Sequence, residues 1–244
     1  MPTIDHIEVK FAVEPGELSE VLKALPQQPG KVEDYTVHFF DRQPLALIGK
    51  GLIIRLRQRP AKVDDATFKV RGDDAQPALA AVGGESDDRK LEGDQNVGSD
   101  VKESFSITSE PPLAKIQDAL DGKAELRAAL HTDASKLMEL AEMSWDGIGF
   151  YGPIQAKRWK ARIPGTEDKV TVELWKTTNG IELLEVSGKV DATAAEEFGD
   201  KLSAFMLAIP GVKQLVKEDG QPASKTEFAL MNSDYRSLVV DSKV

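Results

Sequence analysis

Basic side chains recur at every second position in several segments with the composition of β-strands. Arginines occupy alternate positions over 55–59, and Lys69 and Arg71 follow the same spacing; Arg158, Lys160 and Arg162 repeat it later in the chain. Because residues i and i+2 of a strand point to the same face, each of these segments has one basic face. Guanidinium groups contact phosphate oxygens in pairs, and lysine serves as a point charge. These faces predict binding of a phosphate-bearing anion.

Carboxylates follow the same alternation in other segments. Glu8 shares a strand face with Lys10, Glu92 shares one with Asp94, and Glu173 alternates with its apolar neighbours. Carboxylate oxygens are ligands for hard cations such as Mg²⁺ or Mn²⁺. A closed sheet would turn the charged faces inward and leave the apolar faces outside, under helices. The alternative is a sheet with one solvated face, where charges need no function, and it stays open for any single strand.

Composition limits the class of protein. The 244 residues suit one large domain or two small ones, and 41% apolar residues provide a sizeable core. There is no cysteine, and no apolar run approaches the roughly 20 residues that span a bilayer. The net charge of −10 is opposite to the basic footprint of general nucleic-acid binding. We therefore expect a cytoplasmic protein with neither a nucleic-acid nor a membrane partner.

Along the chain, strand patterns come first, then a helical middle, then strands again. We expect a single domain over 1–244, with a barrel and helices over 3–232 and a tail over 233–244. The Gly-, Ala- and Asp-rich residues 72–88 predict a loop, and Asn179-Gly180 predicts a two-residue hairpin turn. A short strand is predicted near Phe228–Met231.

Seven segments, in order, resemble motifs of the CYTH, or triphosphate tunnel metalloenzyme, superfamily. The opening His6-Ile-Glu-Val-Lys10 is similar to the ExExK motif of that family. The other segments are YTVHFFDRQPLALIGKGLIIRLR (35–57), similar to its YFDT and LRIR strands, Thr67-Phe-Lys69 (TLK), RKLEGD (89–94, RxExE), KRWKAR (157–162, an arginine-bearing strand), the strands on either side of Asn179-Gly180 (late glutamates) and Ala223-Ser-Lys225 (SK). The resemblance extends over residues 3–232, and the ordered series is more specific than any one motif.

The resemblance implies an α+β fold: a closed antiparallel β-barrel of about eight strands that forms a polar tunnel, with helices packed outside. It implies a triphosphate-containing small molecule as ligand and, in active members, hydrolysis of tripolyphosphate or thiamine triphosphate with Mg²⁺ or Mn²⁺ as cofactor. A minority of members cyclise ATP. Phosphoryl transfer of this kind depends on electrostatic stabilisation.

The resemblance also implies roles for individual residues. The implied metal ligands are Glu8, Glu92, Glu173 and Glu185. The implied catalytic residues are Glu8, Lys10 and Asp94. The implied phosphate contacts are Lys10, Arg55, Arg57, Lys69, Arg89, Arg158, Arg162 and Lys225.

Two positions depart from the family pattern. His6 and Ser187 stand where the motifs have acids. Histidine is a poor ligand for Mg²⁺, and fewer carboxylates weaken cation binding. Three functions therefore stay open: a metal-dependent triphosphatase, a protein that binds polyphosphate or a nucleotide without turnover, and an adenylate cyclase of the same fold. The resemblance further implies a homodimer, for which the sequence itself has no interface signal.

Overall fold

The structure, a computed structural model, describes residues 4–16, 18–27 and 31–238. Within these residues the strands are β1 (His6–Val13), β2 (Glu33–Asp41), β3 (Leu52–Gln58), β4 (Asp65–Arg71), β5 (Arg89–Asn96), β6 (Lys102–Ser109), β7 (Gly149–Arg162), β8 (Lys169–Lys176), β9 (Glu182–Asp191) and β10 (Tyr235–Ser237). The α-helices are α1 (Ser19–Ala24), α2 (Ala46–Gly49), α3 (Ala75–Ala81), α4 (Leu113–Leu120), α5 (Ala134–Leu140), α6 (Ala195–Leu207) and α7 (Lys225–Met231). Short 3₁₀ helices span Leu126–Ala129 and Ala192–Ala194.

The strands pair in the order β10-β7-β2-β3-β4-β6-β5-β1-β9-β8, and β7 also pairs with β8. The strands β1 to β9 therefore form a closed circuit, and β10 adds to β7. This circuit confirms the predicted α+β fold with a closed β-barrel. The prediction that all pairs are antiparallel is wrong at one place, because β1 and β5 run parallel. These two strands are about 80 residues apart in the sequence, and nothing local sets their relative direction.

The chain divides into two compact units. The first unit comprises Met1–Asp34, Glu92–Lys102 and Gln155–Asn232, and the second comprises Tyr35–Leu91, Glu103–Ile154 and Ser233–Val244. The unit boundaries fall inside β2, β5, β6 and β7, so each of these strands contributes residues to both units. The prediction of a single domain over 1–244 stays a prediction.

In the first unit, the apolar faces of the strands pack against α1 and α6. Ile7, Val9 and Phe11 of β1 join Val172 and Trp159 in a core that also contains Val21 of α1 and Phe198, Leu202 and Met206 of α6. The indole Nε1 of Trp159 donates a 3.1 Å hydrogen bond to the carbonyl of Leu25, so this ring is a packing residue. Glu8 and Lys10 of β1 and Glu173 of β8 consequently lie on the face away from this core.

The second unit repeats this arrangement on β3, β4 and β6. Ile54, Leu56, Phe68, Phe105 and Ile107 are buried at every second position. The strand registers place Arg55 opposite Thr67 and Arg57 opposite Asp65. The polar residues therefore line the other face of these three strands.

Three local predictions are wrong. Residues 72–88 contain α3, because Ala75–Ala81 is alanine-rich and its proline, Pro77, lies in the first turn, where it is tolerated. The predicted strand at Phe228–Met231 is part of α7, since these residues favour helix. The hairpin at Asn179-Gly180 is longer than two residues, because Thr177 and Ile181 bond each other and β9 starts at Glu182.

Of the predicted tail over 233–244, residues 239–244 lie outside the described part, and residue 3 does as well. The tail begins with β10, which pairs with β7. Among the helices that the structure describes, none has the length and apolar composition needed to cross a membrane.

Candidate functional site

The first unit presents a carboxylate face, defined here as Glu8, Lys10, Asp94, Glu173, Glu185 and Lys225. Five of these residues lie on β1, β5, β8 and β9, on the side opposite the apolar core, and Lys225 is the first residue of α7. Strand pairing brings the carboxylates together in two pairs, because Glu8 is the register partner of Asp94 and Glu173 is the register partner of Glu185. Like charges directly opposite each other repel, so each pair needs a cation.

Lys10 supplies that cation to the first pair. Its Nζ lies 3.0 Å from Oε2 of Glu8 and 2.7 Å from Oδ1 of Asp94. The hydroxyl of Ser187 donates a 3.3 Å hydrogen bond to the other oxygen of Glu8. Ser187, a position where the resemblance led us to expect an acid, thus places a hydrogen-bond donor beside this carboxylate.

Lys225 supplies the cation to the second pair. Its Nζ lies 2.6 Å from Oε2 of Glu173 and 3.0 Å from Oε1 of Glu185. The same ammonium is 4.0 Å from the centre of the Trp175 ring, a cation–π distance. Lys225 is only 3% exposed, so this ammonium depends on the two carboxylates for its charge compensation.

Other residues predicted for the site lie at the margin of this face. Arg158 faces Glu173 across β7 and β8, with Nε 3.7 Å from Oε1. Glu92 pairs instead with the half-exposed Lys189 at 2.6 Å, and Arg162 pairs with the exposed Glu167. Glu92 and Arg162 therefore lie with other partners than the two carboxylate pairs.

Two further residues near this face have informative environments. Burial, followed by the charge of Arg158, lowers the pKa of Lys160, whose Nζ donates a 2.5 Å hydrogen bond to the Thr171 hydroxyl. His6, the other residue found at an acid position of the family motif, is half-exposed and pairs with Asp191 at 3.3 Å. His6 therefore lies with an exposed acid rather than with the Glu8–Asp94 pair.

The carboxylate face has the donor chemistry for a divalent cation of the Mg²⁺ type. Mg²⁺ is commonly held by one or two carboxylates together with water and substrate phosphates, and each pair offers two carboxylates. Among the residues that the structure describes, no three His, Asp or Glu side chains are grouped for a metal ion. The residues fit a cation whose coordination would be completed by a phosphate ligand. Lys10 and Lys225 lie at the two corresponding positions, each between the carboxylates of one pair.

The second unit presents an arginine face, defined here as Arg55, Arg57, Arg59, Asp65, Thr67 and Lys69. The Nε of Arg57 donates to both oxygens of Asp65, at 2.9 and 3.0 Å. Arg59 also bonds Asp65, and Nη2 of Arg55 lies 4.0 Å from it. Three guanidinium groups therefore surround one buried carboxylate.

Thr67 and Lys69 continue the same face of β4. The Thr67 hydroxyl donates to Oδ1 of Asp65 at 3.4 Å and accepts from Nη2 of Arg55 at 3.3 Å. By the strand registers, Lys69 lies beside Ser106 of β6. Arg89 is placed elsewhere in this unit, where it bonds Asp133 at 2.5 Å.

Sequence reasoning missed Asp65 as a site residue. The alternation that indicates Lys69 and Arg71 continues backwards through Thr67 to Asp65, so the face of this residue could be read from the sequence. Its role could not, because the pairing of Asp65 with Arg57 depends on the register of β3 and β4.

No protein-family model matches this sequence, and no curated protein is similar to it. Among the solved structures that resemble the chain are two candidate cyclases. One is the Hippeastrum protein HpAC1, a candidate adenylyl cyclase described as having a dominant triphosphatase activity; it is 15% identical, with a TM-score of 0.59 over 92% of this chain and 94% of that one. The other is a candidate adenylate cyclase from Bacillus halodurans, also 15% identical, with a TM-score of 0.54 over 92% of this chain and 96% of that one.

The chain has the fold of these two proteins. The prediction drawn from the resemblance to the CYTH superfamily is thereby confirmed for the fold, and the low identity makes the chain a divergent example of it. The polar tunnel, the metal, the homodimer, the absence of a nucleic-acid partner and the cytoplasmic location stay predictions.

Proposed function

We propose that this protein binds a triphosphate-containing small molecule, such as tripolyphosphate or an organic triphosphate, and hydrolyses it with Mg²⁺ or Mn²⁺. The arginine face would contact phosphate oxygens, and the carboxylate face would hold the cation. HpAC1, which shares the fold, is described as having a triphosphatase activity.

One observation carries the anion-binding part of the proposal. On the arginine face, three guanidinium groups surround the buried carboxylate of Asp65, in a chain whose net charge is −10. The side chains of Arg55, Arg57 and Arg59 are 17–27% exposed, so water screens them only in part. A hydrogen bond to a charged group contributes about 1.5–3 kcal/mol, and several such bonds give specific binding of a polyanion.

The carboxylate face contributes the catalytic part. Glu8, Asp94, Glu173 and Glu185 would hold the cation, which supplies charge neutralisation of the phosphate oxygens when it is bound. Lys10 and Lys225 would then be available as donors to phosphate, because the cation replaces them at the carboxylate pairs. Glu8 accepts the Ser187 hydrogen bond at one oxygen, which fixes the orientation of its carboxylate.

Binding without turnover is the second candidate function. It is favoured by the two ammonium groups, each of which lies within 3.0 Å of both carboxylates of its pair. If Lys10 and Lys225 are not displaced, the carboxylates stay neutralised by the chain itself. The arginine face would bind the anion in either case.

Phosphate release from tripolyphosphate, thiamine triphosphate and ATP, measured with Mg²⁺ and with Mn²⁺, tests the proposal. We expect release from at least one substrate that depends on the divalent cation. We expect Glu8→Gln to lower kcat at least a hundredfold, since this residue would contact the cation at the reacting phosphate. Glu139→Gln is the matched control, because Glu139 is an exposed residue of α5 far from both faces in sequence.

Equilibrium binding of the same compounds distinguishes the two candidates. Binding without release of phosphate, or of cyclic AMP from ATP, would establish the second candidate. Absence of binding for all three compounds would overturn both.

A further inference from the structure

Two buried hydroxyl side chains lie side by side on strands that carry the carboxylate face. Thr171 of β8 and Ser187 of β9 are register partners, and they are 8% and 4% exposed. They form the hydroxyl row. Glu173 and Glu185 stand two residues further along β8 and back along β9, so the hydroxyl row shares their face of the sheet, about 7 Å away along the strands.

The hydroxyl row also adjoins the other carboxylate pair. Ser187 is the register partner of Lys10, which stands two residues after Glu8 on β1. The Ser187 hydroxyl reaches Glu8 directly, through its 3.3 Å hydrogen bond. All of these residues belong to the first unit. The hydroxyl row therefore lies between the two carboxylate pairs, to which the proposed function assigns the cation.

The hydrogen bonding of Thr171 leaves one donor unused. The Nζ of Lys160 donates a 2.5 Å hydrogen bond to Oγ1 of Thr171. An ammonium group can only donate, whereas a hydroxyl group both accepts and donates. The Thr171 hydroxyl therefore still has its own proton to give, and within the described part of the chain that proton meets no acceptor. Because buried polar groups are normally paired, this donor points to an acceptor that a ligand supplies.

The neighbouring side chains on β7 limit the chemistry of that ligand. The strand register places Lys160 beside Thr171 and Arg158 beside Glu173. Ammonium and guanidinium groups have no acceptor, so together with the Thr171 hydroxyl they present donors alone. A ligand at this place must bring acceptor oxygens, and negatively charged ones give the stronger hydrogen bonds.

We propose that the Thr171 hydroxyl donates a hydrogen bond to a phosphate oxygen of the ligand, and that Lys160 orients the hydroxyl for this contact. The inference rests on the proposed function, since the ligand is the same triphosphate-containing molecule. It adds an uncharged donor, placed between the carboxylate pairs, to a set of phosphate contacts that the resemblance implies through lysines and arginines.

Titration calorimetry with tripolyphosphate in EDTA compares the unaltered chain with Thr171→Val and Thr171→Ser. Valine keeps the branched shape without the hydroxyl, and serine keeps the hydroxyl. We expect the dissociation constant to rise about tenfold to a hundredfold in Thr171→Val at an unchanged stoichiometry, because a hydrogen bond to a charged group is lost. In Thr171→Ser we expect a rise of less than about threefold, since the donor is retained.

A second background shows whether the hydroxyl acts directly. If Thr171 only held the ammonium of Lys160 in place, Thr171→Val would cost nothing further once that ammonium is absent. We expect instead that Thr171→Val weakens binding about fivefold or more in the Lys160→Met background as well, because the hydroxyl itself contacts the phosphate.

Each outcome decides a different statement. Equal affinities of Thr171→Val and the unaltered chain overturn the contact and leave the proposed function standing. The same holds for a loss that disappears in the Lys160→Met background, or for an equal loss in Thr171→Ser. Absence of tripolyphosphate binding by the unaltered chain overturns the proposed function, and the inference with it.

NMR spectra of the unaltered chain decide the question should Thr171→Val fail to fold. The methyl signal of Thr171 is compared with that of Thr193, an exposed residue of the 3₁₀ helix Ala192–Ala194 in the same unit. A shift confined to Thr171 when tripolyphosphate is added supports the contact. A Thr171 signal that moves no more than that of Thr193 overturns it.

Discussion

The carboxylate face and the arginine face have opposite charge arrangements. On the carboxylate face, each of two acidic pairs is closed by one ammonium at 2.6–3.0 Å. On the arginine face, one carboxylate serves three guanidinium groups. The arginine face therefore gathers guanidinium groups, which bind phosphate through paired hydrogen bonds, whereas the carboxylates of the other face are neutralised by lysines of the chain itself. Under the proposed function, anion binding would not require a metal, and hydrolysis would require a cation to displace Lys10 and Lys225 from the carboxylates.

The largest effect is expected on the carboxylate face. Replacement of Lys225 by methionine removes the ammonium that lies between Glu173 and Glu185. Because the side chain of Lys225 is only 4% exposed, we expect the free energy of unfolding to fall by about 3–5 kcal/mol, measured by urea denaturation. Lys201→Met, which breaks an exposed pair on α6, should change it by less than about 0.5 kcal/mol. Equal losses in the two variants would contradict the account of the carboxylate face.

A substitution on the arginine face should change the affinity for tripolyphosphate. Arg57→Gln removes the guanidinium that Asp65 holds through both oxygens. We expect the dissociation constant for tripolyphosphate to rise about tenfold to a hundredfold, as measured by calorimetry without metal. Arg127→Gln, an exposed arginine that pairs with Glu125, provides the control and should bind as the unaltered chain does. Similar affinities for both variants would show that the arginine face is not part of the binding site.

A divalent cation should distinguish Lys225→Met from the unaltered chain. Without the ammonium, the Glu173–Glu185 pair is open to Mn²⁺, and a ligand that binds only the folded state raises the melting temperature. We expect Mn²⁺ at about ten times its dissociation constant to add about 1.4 kcal/mol to the stability of the variant, and less to the unaltered chain. An identical Mn²⁺ effect on both proteins would show that Lys225 does not compete for the carboxylates.

The second unit also contains a histidine that makes its stability sensitive to acid. Burial lowers the pKa of His38 below 6.5. The hydrogen bond with Gln58 opposes this shift, and the positive charge of Arg236 adds to it. The unfolded chain then binds a proton at this position more readily than the folded chain, so stability is lost as pH falls from 6.5 through the folded pKa. We expect His38→Gln to flatten this part of the curve of unfolding free energy against pH. A variant with an unchanged slope would show that His38 does not contribute.

The smallest effect is expected at Arg162. This residue was predicted to contact phosphate, but its guanidinium pairs with the exposed Glu167. We expect Arg162→Gln to change the free energy of unfolding by less than about 0.5 kcal/mol and the affinity for tripolyphosphate by less than twofold. A tenfold loss of affinity would show that Arg162 contributes to binding of tripolyphosphate.

The strands of both faces could be predicted because their alternation is a local property. The charged sides of β1, β3 and β4 are as the period of two indicates. Contacts between distant segments could not be predicted. The partners of Lys225 depend on where α7 places its first residue, and the parallel pairing of β1 with β5 brings Asp94 beside Glu8. For the same reason Asp65 was not recognised, since its partners come from the neighbouring strand.

The most direct test of the account is a titration of the unaltered chain with tripolyphosphate in EDTA, in parallel with orthophosphate. We expect saturable binding of one tripolyphosphate per chain, much tighter than that of orthophosphate and weakened by salt, because the three guanidinium groups of the arginine face need no metal to contact phosphate. Binding that appears only after Mg²⁺ or Mn²⁺ is added would contradict the account, since the carboxylate face would then be the anion site through its metal.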